Sequence, residues 1–244
     1  MKKISFTIIA FLAVSALIFP QEKKFFDAPF GGGGGYLAGW YIPNVDPVNM
    51  QLKTFGVPDL STGGMYTSGG GGFIYIGFVK FLRIGGMGYG GSVSKKALVN
   101  GFNREADYSI GGGGVTIEYT LPFVRNFGVS IGAIIGGGSL QISLYNNSGN
   151  FNWDDIWQEV SNNNSTTQNS NHTISNTYWN ITPTLNFDIP INRFVEFRIG
   201  GGYQITFANS WKVDNGITLS GVPSDLNANS FFIQAGVYLG FFSF

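Results

Sequence analysis

The chain has no cysteine and a single histidine, and only 11% of its 244 residues are charged. The missing cysteine excludes disulfide scaffolds, thiol nucleophiles and cysteine metal sites, and one histidine leaves little for zinc chemistry. No catalytic, cofactor or metal residues are therefore expected. Soluble domains carry about 25% charged residues, so this chain has too little charge to cover a water-facing surface. Lys+Arg 14 balance Asp+Glu 14, and the basic excess that a nucleic-acid partner requires is absent. After Pro20 there is no run of 18 apolar residues, which excludes helical membrane spans. Glycine is abundant, at 37 residues, together with 16% aromatic and 43% hydrophobic residues. That mixture fits neither a flexible linker nor a disordered chain.

The N-terminus carries an address. Lys2 and Lys3 precede an apolar run from Ile4 to Phe19, and the chain turns polar at Gln21-Glu22-Lys23-Lys24, the layout of a secretory signal peptide. Residues 1–21 read as this leader, with cleavage after Ala16 or near Gln21, and residues 22–244 as one domain.

With helices excluded, a closed β-barrel is the other structure that can cross a bilayer, and its signature is a period of two. Val195, Phe197, Ile199, Gly201, Tyr203, Ile205 and Phe207 form an apolar row interleaved with Glu196, Arg198, Gly200, Gly202, Gln204 and Thr206. Val115-Ile117-Tyr119 and Ile181-Pro183-Leu185-Phe187-Ile189 alternate in the same way. About eight strands follow, near 30–42, 68–77, 82–97, 106–120, 127–145, 174–189, 194–210 and 228–243. Tight links at Phe78-Val79-Lys80, 121–126 and 190–193 alternate with longer ones around 43–67, 98–105, 146–173 and 211–227. Short turns belong on the periplasmic side and long loops outside. Aromatic girdles fit that orientation: Phe78, Phe81, Phe123, Phe127, Phe194 and Phe241 at the turn end, and Trp40, Tyr41, Tyr66, Tyr108, Tyr145, Tyr178, Trp179 and Trp211 at the loop end. The predicted fold class is all-β: a closed antiparallel up-and-down transmembrane β-barrel with short helices in its outside loops.

These features resemble the small eight-stranded bacterial outer-membrane β-barrel proteins, of which the OmpA membrane domain, OmpX and OmpW are members. The resemblance is architectural and spans nearly all of 22–244. It implies an integral place in the outer membrane with both termini periplasmic, lipids and lipopolysaccharide as surroundings, and a terminal Phe244 read as an assembly signal by the barrel-assembly machinery. It also implies that Phe244, Phe242, Gly240 and Tyr238 face lipid. The greasier row is Phe241, Leu239, Val237 and Ala235, so the lipid face of the last strand stays open.

Glycine runs at 31–35, 69–72, 85–86, 111–114, 136–138 and 200–202 suggest a belt near mid-height, read either as relief for sharp curvature or as space inside the barrel. Gly86-Met87-Gly88-Tyr89-Gly90-Gly91 matches a nucleotide-binding pattern but lies within a strand with no helix after it, so it is discarded. Arg83, Glu118, Asp188, Glu196 and Arg198 should project inward near the periplasmic end, where charges must pair. They read as a plug of ion pairs, with a cation or proton pathway as the alternative.

In the first loop, Asp46-Pro47 with Val48, Leu52, Phe55 and Gly56 predicts a short helix with Asp46 as its N-cap. In the third, Trp153, Ile156, Trp157 and Val160 predict a second amphipathic helix opposite Asp154, Asp155 and Glu159, whose tryptophans would contact a membrane interface, a partner or other loops. The polar tract Ser161 to Asn171 is expected to be mobile, with His172 in it rather than on a rigid strand. The function expected is a non-enzymatic envelope or surface-interaction role through Trp153, Ile156 and Trp157. The runner-up is OmpW-like passage of a small hydrophobic ligand through the lumen. A lipid A-modifying enzyme, with His172 beside a serine or carboxylate, comes third.

Overall fold

The structure, a computed structural model, describes residues 31–122, 124, 127–149, 151–161 and 169–242. The leader, Phe123 and Phe244 lie outside them. Eight long strands form the wall: β1 (Gly31–Pro43), β2 (Met65–Tyr75), β3 (Leu82–Val99), β4 (Phe102–Thr120), β5 (Gly128–Asn147), β6 (Ser170–Asn192), β7 (Val195–Ala208) and, last in the chain, β10 (Ser230–Phe242). Each pairs antiparallel with its neighbour in sequence, and β1 pairs with β10 from Gly31↔Phe242 to Pro43↔Ser230. The closed circuit removes every sheet edge from the bilayer. Pro183 has no N–H to give, and the β6–β7 pairing passes over it from Ile181↔Ile205 to Thr184↔Gly202.

Alternation sorts the side chains as the sequence predicts. Ile74, Ile84, Val115, Ile117, Ile131, Ile135, Leu185, Ile189, Ile199 and Leu239 are exposed on the outside, an apolar belt that only a hydrocarbon solvent suits. At one end the belt gives way to Phe78, Phe127, Phe194 and Phe241 beside the short turns, and at the other to Tyr36, Trp40, Tyr66 and Trp179. Beyond that level the outward row turns polar along one line, through Ser92↔Ser109, Ser109↔Gln141 and Gln141↔Ser175. A membrane-crossing strand needs about 9–11 residues. Strands β1, β2, β7 and β10 have 11 to 14 residues, whereas β3 to β6 have 18 to 23. The longer four rise past the polar line as a sheet on one side.

Several expectations are corrected. Tyr41, Tyr108 and Tyr178 are not girdle residues: each neighbours an outward residue and so points inward, buried. The loop near 98–105 is only a turn at Asn100-Gly101, because β3 and β4 keep pairing as far as Val99↔Phe102. On the last strand Phe231, Ile233, Val237, Leu239 and Phe241 face out while Tyr238 and Phe242 are buried inside, so the orientation implied by the resemblance is reversed. The sequence-predicted polar tract enters β6 at Ser170, and His172 sits on that strand.

The first loop forms α1 (Asp46–Phe55), with Val45, not Asp46, at the N-cap position. Gly56, at φ +81°, ends it in the left-handed conformation that glycine adopts without a Cβ penalty. The third loop forms α2 (Trp153–Ser161), and the fourth holds a two-rung hairpin, β8 (Lys212–Val213) and β9 (Ile217–Thr218), that extends β6.

Candidate functional site

The lumen near the short-turn end is built from two cross-strand pairs. Arg83 faces Glu118 on β3 and β4, and Asp188 faces Arg198 on β6 and β7. Between them β5 offers only Gly128, Ser130 and Gly132 opposite Asp188, Asn186 and Glu118. That low floor lets the two pairs meet across the barrel. Arg83 Nε lies 2.7 Å from Glu118 Oε2 and its Nη2 2.5 Å from Asp188 Oδ2, while Arg198 Nε lies 2.6 Å from Asp188 Oδ1 and its Nη1 3.3 Å from Glu118 Oε1. The four groups thus close an alternating ring, which is neutral by itself.

Polar and aromatic neighbours complete the ring. Asn186 Nδ2 donates to Glu118 Oε1 at 3.0 Å, Ser130 Oγ donates to Asp188 Oδ2 at 3.0 Å, and Arg83 Nη2 also donates to Ser130. Phe73 lies beneath both guanidiniums, 4.3 Å from that of Arg83 and 4.9 Å from that of Arg198, with Tyr238 4.8 Å from the latter. Arg83, Asp188 and Glu196 are 0% exposed. All five sequence-predicted lumen charges therefore gather in one place. Asn186, Ser130, Phe73 and Tyr238 went unrecognised; the alternation of β2 would have placed Phe73 inside, but Tyr238 depended on the open register of the last strand.

Above the ring lies the glycine belt, filled rather than hollow. Tyr41 stacks between Tyr89 and Phe232, with ring centroids 4.7 and 4.9 Å away. A Cβ on Gly112 would lie 3.0 Å from the Tyr89 hydroxyl, one on Gly138 2.6 Å from that of Tyr178, and one on Gly202 3.1 Å from the Phe232 ring. These inward glycines are the floor on which large rings lie. Gln204 joins the layer, accepting from the Tyr89 hydroxyl and donating through Nε2 to Ala228 O at 2.8 Å.

The mouth is occupied by the first loop. Val45, Val48, Leu52, Val57 and Leu60 are buried against Met65, Ala106, Tyr108, Leu140, Ile142 and Ala228. Asn49 staples the loop, donating to Leu60 O at 3.0 Å and accepting from Leu60 N–H at 2.8 Å. Arg104, which the sequence did not single out, reaches from β4 to donate to Phe55 O at 2.5 Å and lies over the Phe55 ring. The helix is thus held down at its C-terminal end.

Outside, Trp153, Ile156 and Trp157 are exposed on α2, the tryptophans at 73% and 56% with their rings edge to face at 5.7 Å. His172 is held beside a carboxylate, Nδ1 to Asp214 Oδ2 at 2.8 Å, while Asp214 Oδ1 accepts from Thr173 N–H at 2.9 Å. The His172 hydrogen bond, and then that from Thr173, hold the Asp214 carboxyl below its ordinary range. No serine hydroxyl bonds His172 among the described residues, and the pair fastens the fourth loop to β6. Nearby, the Ser94 hydroxyl and then Lys96 hold the Glu105 carboxyl below its ordinary range.

No family profile matches the chain, and no curated protein does. Among solved structures it is similar to Ail, the attachment invasion locus protein of Yersinia pestis, in complex with the heparin analogue sucrose octasulfate: 9% identity over 87% of this chain and 99% of that one, TM-score 0.43. A major outer membrane protein from Thermus thermophilus gives 11% identity over 86% and 99%, TM-score 0.43. Acinetobacter baumannii CarO2 gives 12% over 85% and 98%, TM-score 0.32.

Proposed function

We propose that this chain is a non-enzymatic, integral outer-membrane barrel whose lumen is sealed and whose work is done by its outside loops, as an envelope scaffold or an adhesion-type contact surface. The observation that carries the reading is the filled interior. A charge ring, a layer of tyrosines on glycine and an apolar helix follow one another from the periplasmic end to the mouth. An eight-stranded barrel is just wide enough for side chains to fill, and here they do. Burial of Leu52, Leu140 and Phe232 speaks against the hydrophobic-passage alternative, which needs a continuous space along the same axis.

Support for the loop role comes from Trp153, Ile156 and Trp157, large apolar groups held in the open on a helix. Tryptophan in such a position serves partner contact or a lipid interface. The surroundings proposed are outer-membrane lipids and lipopolysaccharide, with insertion by the barrel-assembly machinery and both termini periplasmic. Against an enzymatic role, His172 stands exposed at the rim and no nucleophile among the described residues is hydrogen-bonded to it. The experiment is uptake of a hydrophobic dye into liposomes carrying the refolded barrel. Uptake equal to that of empty liposomes is expected, and accelerated uptake would move the function to passage of small hydrophobic molecules.

A further inference from the structure

The short links of the barrel share a composition for which a sealed lumen has no use. Phe78-Val79-Lys80-Phe81 leads from β2 to β3, and Ile191-Asn192-Arg193-Phe194 from β6 to β7. Each sets one base among large apolar groups. In the first, Lys80 is exposed beside Phe78, which at 90% is the most exposed large apolar side chain among the described residues. In the second, Arg193 is exposed beside Phe194, whose ring meets that of Phe241 edge to face at 6.3 Å. The remaining short link has Arg125 in its sequence, outside the described residues.

Both bases stand on fixed turns. Asn192 Oδ1 accepts from the N–H groups of Phe194 and Val195 at 2.8 and 3.0 Å, and Arg193 O accepts from Phe242 N–H at 2.8 Å. Lys80 lies in a turn closed by Val79 N–H to Ile76 O at 3.2 Å and Leu82 N–H to Val79 O at 3.3 Å. Neither cation is in an ion pair among the described residues. The acidic residues of this end, Glu118, Asp188 and Glu196, are buried in the lumen, and no acidic side chain is exposed there among the described residues. At the loop end the exposed charged residues are mostly acidic, Asp46, Asp59, Asp154, Asp214 and Asp225 among them. Charge is thus sorted between the two rims. Four wall strands separate the two links in either direction round the barrel, so Lys80 and Arg193 stand on opposite sides of the basic rim.

A phenylalanine on a turn tip is unfavourable in water and favourable in the interfacial layer of a bilayer. A base beside it then lies at the depth of the lipid phosphates, with its stem against the rings and its charged head in the polar layer. We propose that the short-turn rim is a binding surface for anionic phospholipid, taking one headgroup phosphate at Lys80 and another at Arg193. The proposal rests on the reading of the chain as an integral barrel, and adds which headgroup that rim selects. A zwitterionic headgroup meets the cation with an ammonium of its own, whereas an anionic one brings uncompensated phosphate. Each base contributes about fivefold to the preference for the anionic lipid. Because both bases are exposed, salt weakens that preference.

The test is electron spin resonance of the barrel refolded into phosphatidylcholine vesicles that carry a trace of spin-labelled phosphatidylglycerol or spin-labelled phosphatidylcholine. The motionally restricted fraction of each label measures its association with the protein. The expected result is a larger restricted fraction for phosphatidylglycerol at low salt. That excess should fall in high salt, vanish in Lys80→Gln/Arg193→Gln, and persist in Lys53→Gln/Lys212→Gln, which removes two exposed bases from the loop end. Equal fractions for the two lipids in the wild type overturn the proposal, as does an excess indifferent to salt, even if a variant fails to fold. So does an excess that survives Lys80→Gln/Arg193→Gln or that the loop-end variant abolishes. A restricted fraction for phosphatidylcholine marks insertion itself, and its absence would overturn the integral-barrel reading and this proposal with it.

Discussion

Arg83 is the residue on which the lower plug turns, since it alone joins Glu118, Asp188 and Ser130 while lying over Phe73. Replacing it with alanine leaves two buried carboxylates short of a cation, a loss of about 3–5 kcal/mol for a broken buried pair. Urea unfolding of Arg83→Ala should show that drop, and a change below about 1 kcal/mol would mean the ring is not an energetic unit. Inward glycines are for the most part more crowded than outward ones, and Gly136 and Gly88 lie near the two extremes. A Cβ at inward Gly136 would lie 1.9 Å from Gly113 O, against 3.7 Å from Gly112 O at outward Gly88. Gly136→Ala should therefore cost about 1–3 kcal/mol through backbone displacement, while Gly88→Ala stays within about ±0.5 kcal/mol. Equal effects at the two positions would contradict the curvature account. The charges were legible because a strand's period of two assigns Glu196 and Arg198 to the side away from Phe197 and Ile199. How they share partners was not legible, since that depends on the register of β3, β4, β6 and β7 across the lumen.

At the scale of elements, α1 is a plug and the fourth-loop hairpin is a strap. Leu52 is almost wholly buried in the mouth, and truncation of such a leucine costs about 2–5 kcal/mol. Leu52→Ala should release α1 locally, seen as faster amide hydrogen exchange in residues 46–55 with the transmembrane strands unchanged; unchanged exchange in α1 would remove it from the seal. The strap depends on Asp214. Because its carboxyl is held below the ordinary range by His172 and Thr173, it contributes stability above that range, and the contribution is lost as pH falls through it toward the folded value. Exchange at the Thr173 amide, corrected for its intrinsic pH dependence, should accelerate in that acid window and do so at higher pH in His172→Ala. A flat profile in both would show that the backbone pairing of Ile174 with Val213 holds the strap alone.

Both helices could be read from the sequence, since Asp46-Pro47 and the Trp153, Ile156, Trp157 spacing are local signals. That α1 turns into the barrel, and that Arg104 clasps it at Phe55 O, rests on contacts between residues 49 positions apart. Short-range periodicity carries no trace of them. Strands β3 and β5 are predicted nearly to their ends, at 82–97 and 127–145, whereas β4 and β6 begin before the predicted 106 and 174, at Phe102 and Ser170. Beyond the lipid level both faces of a strand meet water or loops, so Asn103, Arg104 and Glu105 at the start of β4 lack the alternation of apolar and polar residues that marks a half-buried strand.

For the whole molecule, one account covers the low charge, the glycine and the aromatics. Charge is scarce because the outward row meets hydrocarbon, and most of the ionised groups at membrane depth are spent on one ring. Glycine lets a narrow wall curve and gives the rings of Tyr41, Tyr89, Tyr178 and Phe232 room to fill the interior. Trp40 and Trp179 are left for the interface at the loop end, and Trp153 and Trp157 for the exposed face of α2. The central claim is that this interior is closed from end to end. Single-channel recording of the refolded wild-type barrel in a planar bilayer tests it most directly, with heat-modifiable gel migration confirming that the barrel is folded. The account predicts no resolvable conductance at neutral pH, and steady ohmic openings from folded protein would contradict it.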